Sequence, residues 1–298
     1  MKPAPGIWLT GAAGMLGRQL AAEFTLRGRA FFASDREADI LDLRALREFS
    51  RGKRIGWIVN CAAYTAVDRA EDEPEQALAV NADGVENLAR LAAELNAKLV
   101  HFSTDYVFAG DRGEPYREDD APRPLSRYGW SKWQGEQRLT AHHDAYFLFR
   151  ISWLYGVFGP NFVHTMLRFF REKESLRVVD DQLGSPTYAA TLAANIAGLI
   201  AADSERFGVY HYCDRGVISW FDFAARIMDL ALACGRIEKK IPLQAIPTSA
   251  FLTRALRPLR AVLAHDKVES ELGFRVRDWG DNLEAFFREE ARLEEACP

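Results

Sequence analysis

From residue 6 to about residue 150, short apolar runs alternate with stretches of helical periodicity. Ile7-Trp8-Leu9-Thr10 predicts a first strand, and residues 14–26 the helix after it. Ala30-Phe31-Phe32-Ala33, Gly56-Trp57-Ile58-Val59-Asn60 and Lys98-Leu99-Val100-His101-Phe102-Ser103 predict three more strands, and Tyr146-Phe147-Leu148-Phe149 a fifth. Between the third and fourth, Val85, Leu88, Ala89, Ala92 and Leu95 recur at i, i+3, i+4 spacing, which turns one apolar stripe toward a sheet. Apolar strands separated by amphipathic helices are the pattern of repeated β-α-β units and a parallel sheet. After about residue 155 the pattern loosens, with a polar stretch from Asp180 to Thr187 and prolines at 242, 247 and 258. Residues 284–297 predict a charged terminal helix whose Glu289-Glu290 and Glu294-Glu295 form a solvated face.

The loop after the first predicted strand reads Gly11-Ala12-Ala13-Gly14-Met15-Leu16-Gly17 and opens a predicted helix. In that context a first glycine permits a tight turn, a second lets backbone N–H groups approach a pyrophosphate, and a third lets helix pack closely on strand. Gly11, Gly14, Met15, Leu16 and Gly17 are therefore candidate contacts for a dinucleotide at the helix N-terminus, where unpaired N–H groups favour an anion. An ordinary glycine turn is the competing reading. Asp35 and Arg36 follow the second strand. The carboxylate suits an adenosine ribose hydroxyl and the guanidinium a 2′-phosphate, so the choice between NADH and NADPH stays open.

These features predict an α/β protein: a Rossmann-like doubly wound parallel sheet over residues 1–155, with a smaller C-terminal α/β substrate lobe over 156–298, some of whose segments return to the first domain. Tyr128 and Lys132 stand four residues apart, on one face if the stretch is helical. A phenol titrates near 10 and exchanges protons poorly at neutral pH unless its anion is stabilised; a nearby ammonium supplies that stabilisation. Ser103 and Thr104, at the end of a predicted strand, place hydroxyls where a substrate carbonyl oxygen would lie.

Composition narrows the classes. Thirty-eight Lys+Arg against 42 Asp+Glu give a net charge of −4, too even for a nucleic-acid binder or a polybasic membrane anchor. The weakly polar run from Thr187 to Ala202 is broken by Asn195 and is shorter than the ~20 residues of a spanning helix. The apolar run behind Lys2 is read as a functional turn and not a signal peptide, so the expected location is the cytoplasm. Cys61, Cys213, Cys234 and Cys297 form no metal-binding spacing, and the first three are read as buried packing. His142-His143-Asp144 is read as a loop or helix end, and His211-Tyr212-Cys213 as packing; no metal site is expected.

The order of glycine turn, Asn60-Cys61-Ala62-Ala63-Tyr64-Thr65-Ala66-Val67-Asp68, Asn81, Ser103-Thr104-Asp105-Tyr106-Val107-Phe108 and Tyr128…Lys132 resembles the extended short-chain dehydrogenase/reductases, and within them the dTDP-4-dehydrorhamnose reductases. Ser152-Trp153-Leu154-Tyr155, Asn161-Phe162, the 181–187 segment and Arg257-Pro258 extend the likeness over nearly the whole chain. The resemblance implies transfer of a hydride from NADPH or NADH to the 4-keto group of a dTDP-sugar, converting dTDP-4-dehydro-L-rhamnose to dTDP-L-rhamnose. It implies Thr104, Tyr128 and Lys132 as the catalytic set, and Asp39, Ile40, Ala62, Ala63, Tyr64 and Lys132 beside the cofactor. It places Asp105, Tyr106, Trp153 and Asn161 on the sugar and Arg257 on the diphosphate, and it allows a homodimer. The family's Arg-Pro-x-x-Ser-x-Leu segment carries Ala261 in place of serine here, with Arg260 as an additional phosphate candidate. Two alternatives remain: another sugar-nucleotide reductase or epimerase of this fold, and a non-catalytic NADP-binding subunit resembling the β subunit of methionine adenosyltransferase.

Overall fold

The computed structural model describes residues 6–295; Lys2 and Cys297 lie outside them. Strands β1 (Gly6–Thr10), β2 (Phe31–Ser34), β3 (Ile55–Asn60), β4 (Lys98–Thr104), β5 (Tyr146–Ile151) and β6 (Gly208–Tyr212) form one sheet in the order β6-β5-β4-β3-β1-β2. Every neighbouring pair is parallel. The order reverses between β1 and β3, so the loops leaving their carboxyl ends diverge and open a crevice there. The principal helices are α1 (Met15–Leu26), α2 (Leu43–Ser50), α3 (Gly84–Leu95), α4 (Arg127–His142), α5 (Phe162–Glu172), α6 (Ala189–Ala201), α7 (Trp220–Ala233) and α8 (Trp279–Glu295).

Successive strand residues point to opposite faces, and both faces are covered. On one side Ile7, Leu9, Val59, Val100 and Phe149 pack with Leu16, Leu20 and Phe24 of α1 and Leu192, Ile196 and Leu199 of α6. On the other, Trp8, Ile58, Leu99 and Leu148 pack with Val85, Leu88 and Ala92 of α3 and Leu139 of α4. Burial on both faces is why the strands read as unbroken apolar runs. A separate core joins Val163, Met166 and Phe170 of α5 to Phe223 and Ile227 of α7 and Phe286 of α8, giving the C-terminal part its own interior.

The chain returns to the first sheet between residues 189 and 212. The weakly polar run around Asn195 is α6, packed against the sheet, with the Asn195 amide donating to the Tyr212 hydroxyl and the Arg275 carbonyl. Among the described residues no helix is long and apolar enough to cross a membrane. β5 runs to Ile151, two residues beyond the predicted end, with Arg150 buried against the Glu136 carboxylate. Two surface readings need correction. Cys234 is exposed at the end of α7, whereas Cys213 is buried and Cys61 half-buried. Glu289 and Glu290 are not simply solvated: Glu289 accepts from Gln19 and Tyr188, and Glu290 pairs with His164 and Arg236.

Candidate active site

The crevice floor is set by backbone contacts that only glycine allows. Gly11 has φ +63°, and a Cβ there would sit 2.4 Å from the Ala62 nitrogen; one at Gly17 would sit 2.3 Å from the Gly11 carbonyl oxygen. The turn after β1 therefore lies directly on the loop after β3, with α1 pressed behind it. No side chain caps α1 at Gly14, so its first N–H groups have no side-chain acceptor from the cap. The Asp35 carboxylate accepts from the Ala13 N–H at 3.0 Å, bracing the turn. Beneath it runs a buried polar row: Thr10 donates to Asn60 (2.8 Å), Asn60 meets His101 (3.0 Å), and Asn60 also accepts from the Ala62 N–H (3.0 Å).

Helix α4 carries the Tyr-Lys pair into this crevice. Ser126 caps it by accepting from the Gly129 N–H at 3.1 Å. Its close approach again depends on glycine: a Cβ at Gly129 would lie 2.2 Å from the Tyr106 carbonyl oxygen, and one at Gly135 2.0 Å from that of Asn81. Asn81, fully buried, accepts from the Tyr64 N–H and donates to Ser131, tying the loop after β3 to α4.

Tyr128 faces a cavity of about 570 Å³. Gly14, Met15, Leu16, Ala62, Ala63, Thr104, Asp105, Tyr106, Tyr128, Lys132 and Trp153 all lie in its wall, joined by Asn60, Cys61, Ser103 and Trp220. Thr104 donates to Asp105 at 3.0 Å. Burial drives the Asp105 carboxyl up to about 7, with the Thr104 hydroxyl working against the rise. The Tyr106 and Tyr128 rings meet edge-on at 5.7 Å.

One expectation is corrected. The Tyr128 phenol does not titrate below its ordinary value: burial pushes it up to about 12, with the Thr104 hydroxyl opposing the rise and the Asp105 charge adding to it. Lys132 instead donates to the Phe102 carbonyl at 2.7 Å and is itself drawn down to about 8 by burial, with Glu136 pulling the other way. A phenol this weakly acidic is fully protonated at neutral pH, the state a proton donor needs.

Trp153 holds a left-handed backbone, φ +44°, which a large side chain rarely adopts. Its indole stacks on Trp220 with centroids 3.6 Å apart and planes 12° from parallel, and a Cβ at Gly184 would strike the ring at 2.8 Å.

Other expected residues stand outside the cavity wall. Gly11 and Gly17 lie under it. Arg36 begins a short 3-10 turn after β2; Asp39 accepts from the Leu41 N–H, and Ile40 is buried where a Gly84 Cβ would be. The Tyr64 hydroxyl donates to Glu73. Asn161 caps α5 and donates to the Gly156 carbonyl, holding the loop after Trp153. Arg257 grips Asp68 with both guanidinium nitrogens (2.7 and 3.1 Å) and lines an adjoining cavity of about 340 Å³ with Phe162, Phe169, Gln182, Trp220 and Phe251. Ala261 is buried, and the Arg260 guanidinium donates to the Gly113 carbonyl. His142 and His143 end α4 with their rings on different carbonyls, and His211 is buried against the Tyr116 carbonyl. Sequence reasoning missed Trp220 and Glu136. Trp220 carries no motif signal, while Glu136 follows Lys132 at the same four-residue step that revealed the Tyr-Lys pair.

This arrangement has close counterparts. Residues 6–292 match the family model described as the RmlD substrate binding domain. The chain is 38% identical to the dTDP-4-dehydrorhamnose reductase of Aggregatibacter actinomycetemcomitans over 277 residues, 91% of this chain and 94% of that one. It is also 38% identical to that of Escherichia coli (strain K12) over 280 residues, 92% and 94% of the two chains. It superposes on the Bacillus anthracis str. Ames dTDP-4-dehydrorhamnose reductase in complex with NADP with TM-score 0.90, at 39% identity, over 96% of this chain and 99% of that one. Similarity to Thermus thermophilus UDP-glucose 4-epimerase, at 20% identity and TM-score 0.79, reflects the shared fold alone. The expected likeness to the dTDP-4-dehydrorhamnose reductases is thereby borne out, and the chain belongs to the RmlD substrate-binding domain family.

Proposed function

We propose that this chain reduces the 4-keto group of dTDP-4-dehydro-L-rhamnose, giving dTDP-L-rhamnose, with NADPH or NADH as reductant. The observation that carries this reading is the single cavity in whose wall the glycine turn, Thr104, Tyr128 and Lys132 meet. The glycine cradle and the uncapped α1 N-terminus fit a dinucleotide pyrophosphate, with Gly14, Met15, Leu16, Ala62, Ala63 and Lys132 as its holders. When bound, the reduced nicotinamide supplies the hydride.

The chain's own residues do the rest. Thr104 and Tyr128 hold the ketone oxygen between two hydroxyls, and Tyr128 passes its proton to that oxygen. Lys132, charged and one helical turn away, favours the phenolate left behind. Asp105, Tyr106 and the Trp153 indole position the sugar ring. The adjoining apolar cavity takes the nucleoside, with Arg257 on the diphosphate between the two spaces. A dehydratase would need a second acid beside Asp105, where Tyr106 stands; a reductase does not.

The test is to supply dTDP-4-dehydrorhamnose with each nicotinamide and follow loss of the reduced-cofactor band at roughly 340 nm. Loss of absorbance with formation of dTDP-L-rhamnose is expected. A protein that binds NADPH and oxidises none would be a binding subunit.

A further inference from the structure

Helix α4 brings a third group into register with Tyr128 and Lys132. Glu136 stands one turn beyond Lys132, so the three residues repeat every four positions down one face. Glu136 is buried, 3% exposed, and its carboxylate is fully engaged. Ser103, in the cavity wall at the end of β4, donates to Oε1 at 2.5 Å. Arg150 of β5 donates to both oxygens, at 2.8 to 3.2 Å, and is itself buried. Arg150 in turn reaches the Glu118 carbonyl and lies 3.4 Å from the buried His211 ring of β6. A network of two charges therefore crosses three strands directly behind the catalytic wall.

Such a pair is costly to bury, and an apolar pair of similar volume would fill the same space at less expense. The hydrogen bonds run toward the site: Ser103 is adjacent to Thr104, and the Phe102 carbonyl that holds Lys132 is one residue earlier on the same strand. We propose that Glu136 is a positioning residue for the Tyr128–Lys132 pair: it fixes the rotation of α4 against β4 through Ser103, and its negative charge keeps the buried Lys132 side chain an ammonium. The inference rests on the roles given above to Tyr128 and Lys132.

The groups facing this pair agree with the assignment. Burial lowers Lys132 to about 8, and Glu136 is the charge acting upward on it. His101, on the adjoining stretch of β4, is held neutral by burial and by the Lys132 charge. His211 is likewise held down to about 3, by burial and by Arg150. Neither imidazole thus adds a cation near neutral pH.

The experiment follows the Lys132 side-chain titration in the free protein by NMR with isotope-labelled lysine, together with the pH dependence of kcat/KM. Glu136→Gln keeps the shape and removes the charge. The expected result is a Lys132 titration at least one pH unit lower than in the unchanged protein, and an alkaline limb of kcat/KM displaced by the same amount, a loss of about tenfold at the limb. Glu136→Asp, which keeps the charge, should restore both. Because Glu136→Gln leaves Arg150 unpaired, the Glu136→Gln/Arg150→Met pair provides a second variant of neutral interior, and it should show a smaller displacement in the same downward direction, since the Arg150 cation is removed with the carboxylate. An unmoved titration in that pair, with melting temperature recovered, would reduce Glu136 to a structural residue and overturn the proposal. The NMR titration does not depend on turnover: inactivity of the unchanged protein would sink the reductase reading, while a stationary Lys132 signal would sink this one alone.

Discussion

The two walls of the crevice are built differently. The wall carrying Thr104, Tyr128 and Lys132 stands on strand ends and a capped helix, held by glycine contacts closer than any Cβ permits and by buried polar rows across β1, β3, β4 and β5. The facing wall hangs on loops: Trp153 in a left-handed backbone, leaned on by Trp220, and Arg257 held by one carboxylate, Asp68. On the proposed reading, chemistry that tolerates little displacement would sit on the strand-and-helix side, and recognition of the substrate body on the loop side. Damage to the first wall should therefore cost turnover or the fold, and damage to the second should cost affinity.

The largest expected effect is on the strand-and-helix side. Gly11→Ala forces a side chain into a left-handed backbone and against the Ala62 nitrogen. It should destabilise the protein by about 2–6 kcal/mol, read as a lowered melting temperature, and abolish dinucleotide binding. A stable Gly11→Ala protein binding NADPH normally would mean the turn is looser than the geometry requires.

Arg257→Ala tests the loop side. It should raise KM roughly tenfold by removing a charge-assisted contact, with kcat little changed. A fall in kcat at constant KM would move Arg257 to the catalytic wall.

Smaller still is the effect on cofactor choice. The Asp35 carboxylate already braces the turn through Ala13, whereas Arg36 makes no ion pair among the described residues. Arg36→Ala should weaken NADPH a few-fold more than NADH, measured by the ratio of their KM values.

The subtlest prediction concerns pH. The Asp105 carboxyl, about 7 in the folded protein against an ordinary value near 3.8, keeps its proton where the unfolded chain has lost it. Folding stability should fall as pH rises from about 4 to 7 and then level off. Asp105→Asn should flatten that decline and raise the melting temperature by a few degrees at pH ~8. A steeper decline in the variant would assign the titration to another group.

The same division governs what could be read from the chain. Apolar runs buried on both faces announced β1, β3, β4 and β5, the Phe31-Phe32 pair announced the half-exposed edge strand β2, and the glycine turn was legible because its spacing is demanded by backbone contact alone. β6 and α6 were hidden by the distance along the chain between them and the sheet they complete. Arg150 and Glu136 were hidden because a charge reads as surface until its partner is known. Spacing placed Tyr128 beside Lys132 but could not say that the ammonium would bond the Phe102 carbonyl, so the predicted acidity of the phenol failed while its position held. On the loop side, Trp153 was found by resemblance, and Trp220, more than sixty residues away in sequence, only by its stacking.

The most direct test of the account is a single-turnover measurement with enzyme-bound NADPH and dTDP-4-dehydrorhamnose, comparing the unchanged protein with Tyr128→Phe. The account predicts that the variant binds NADPH as tightly as the parent and oxidises it roughly 10²–10⁴-fold more slowly. Oxidation at the parent rate would show that the proton comes from elsewhere and that the Tyr128 wall is not where reduction takes place.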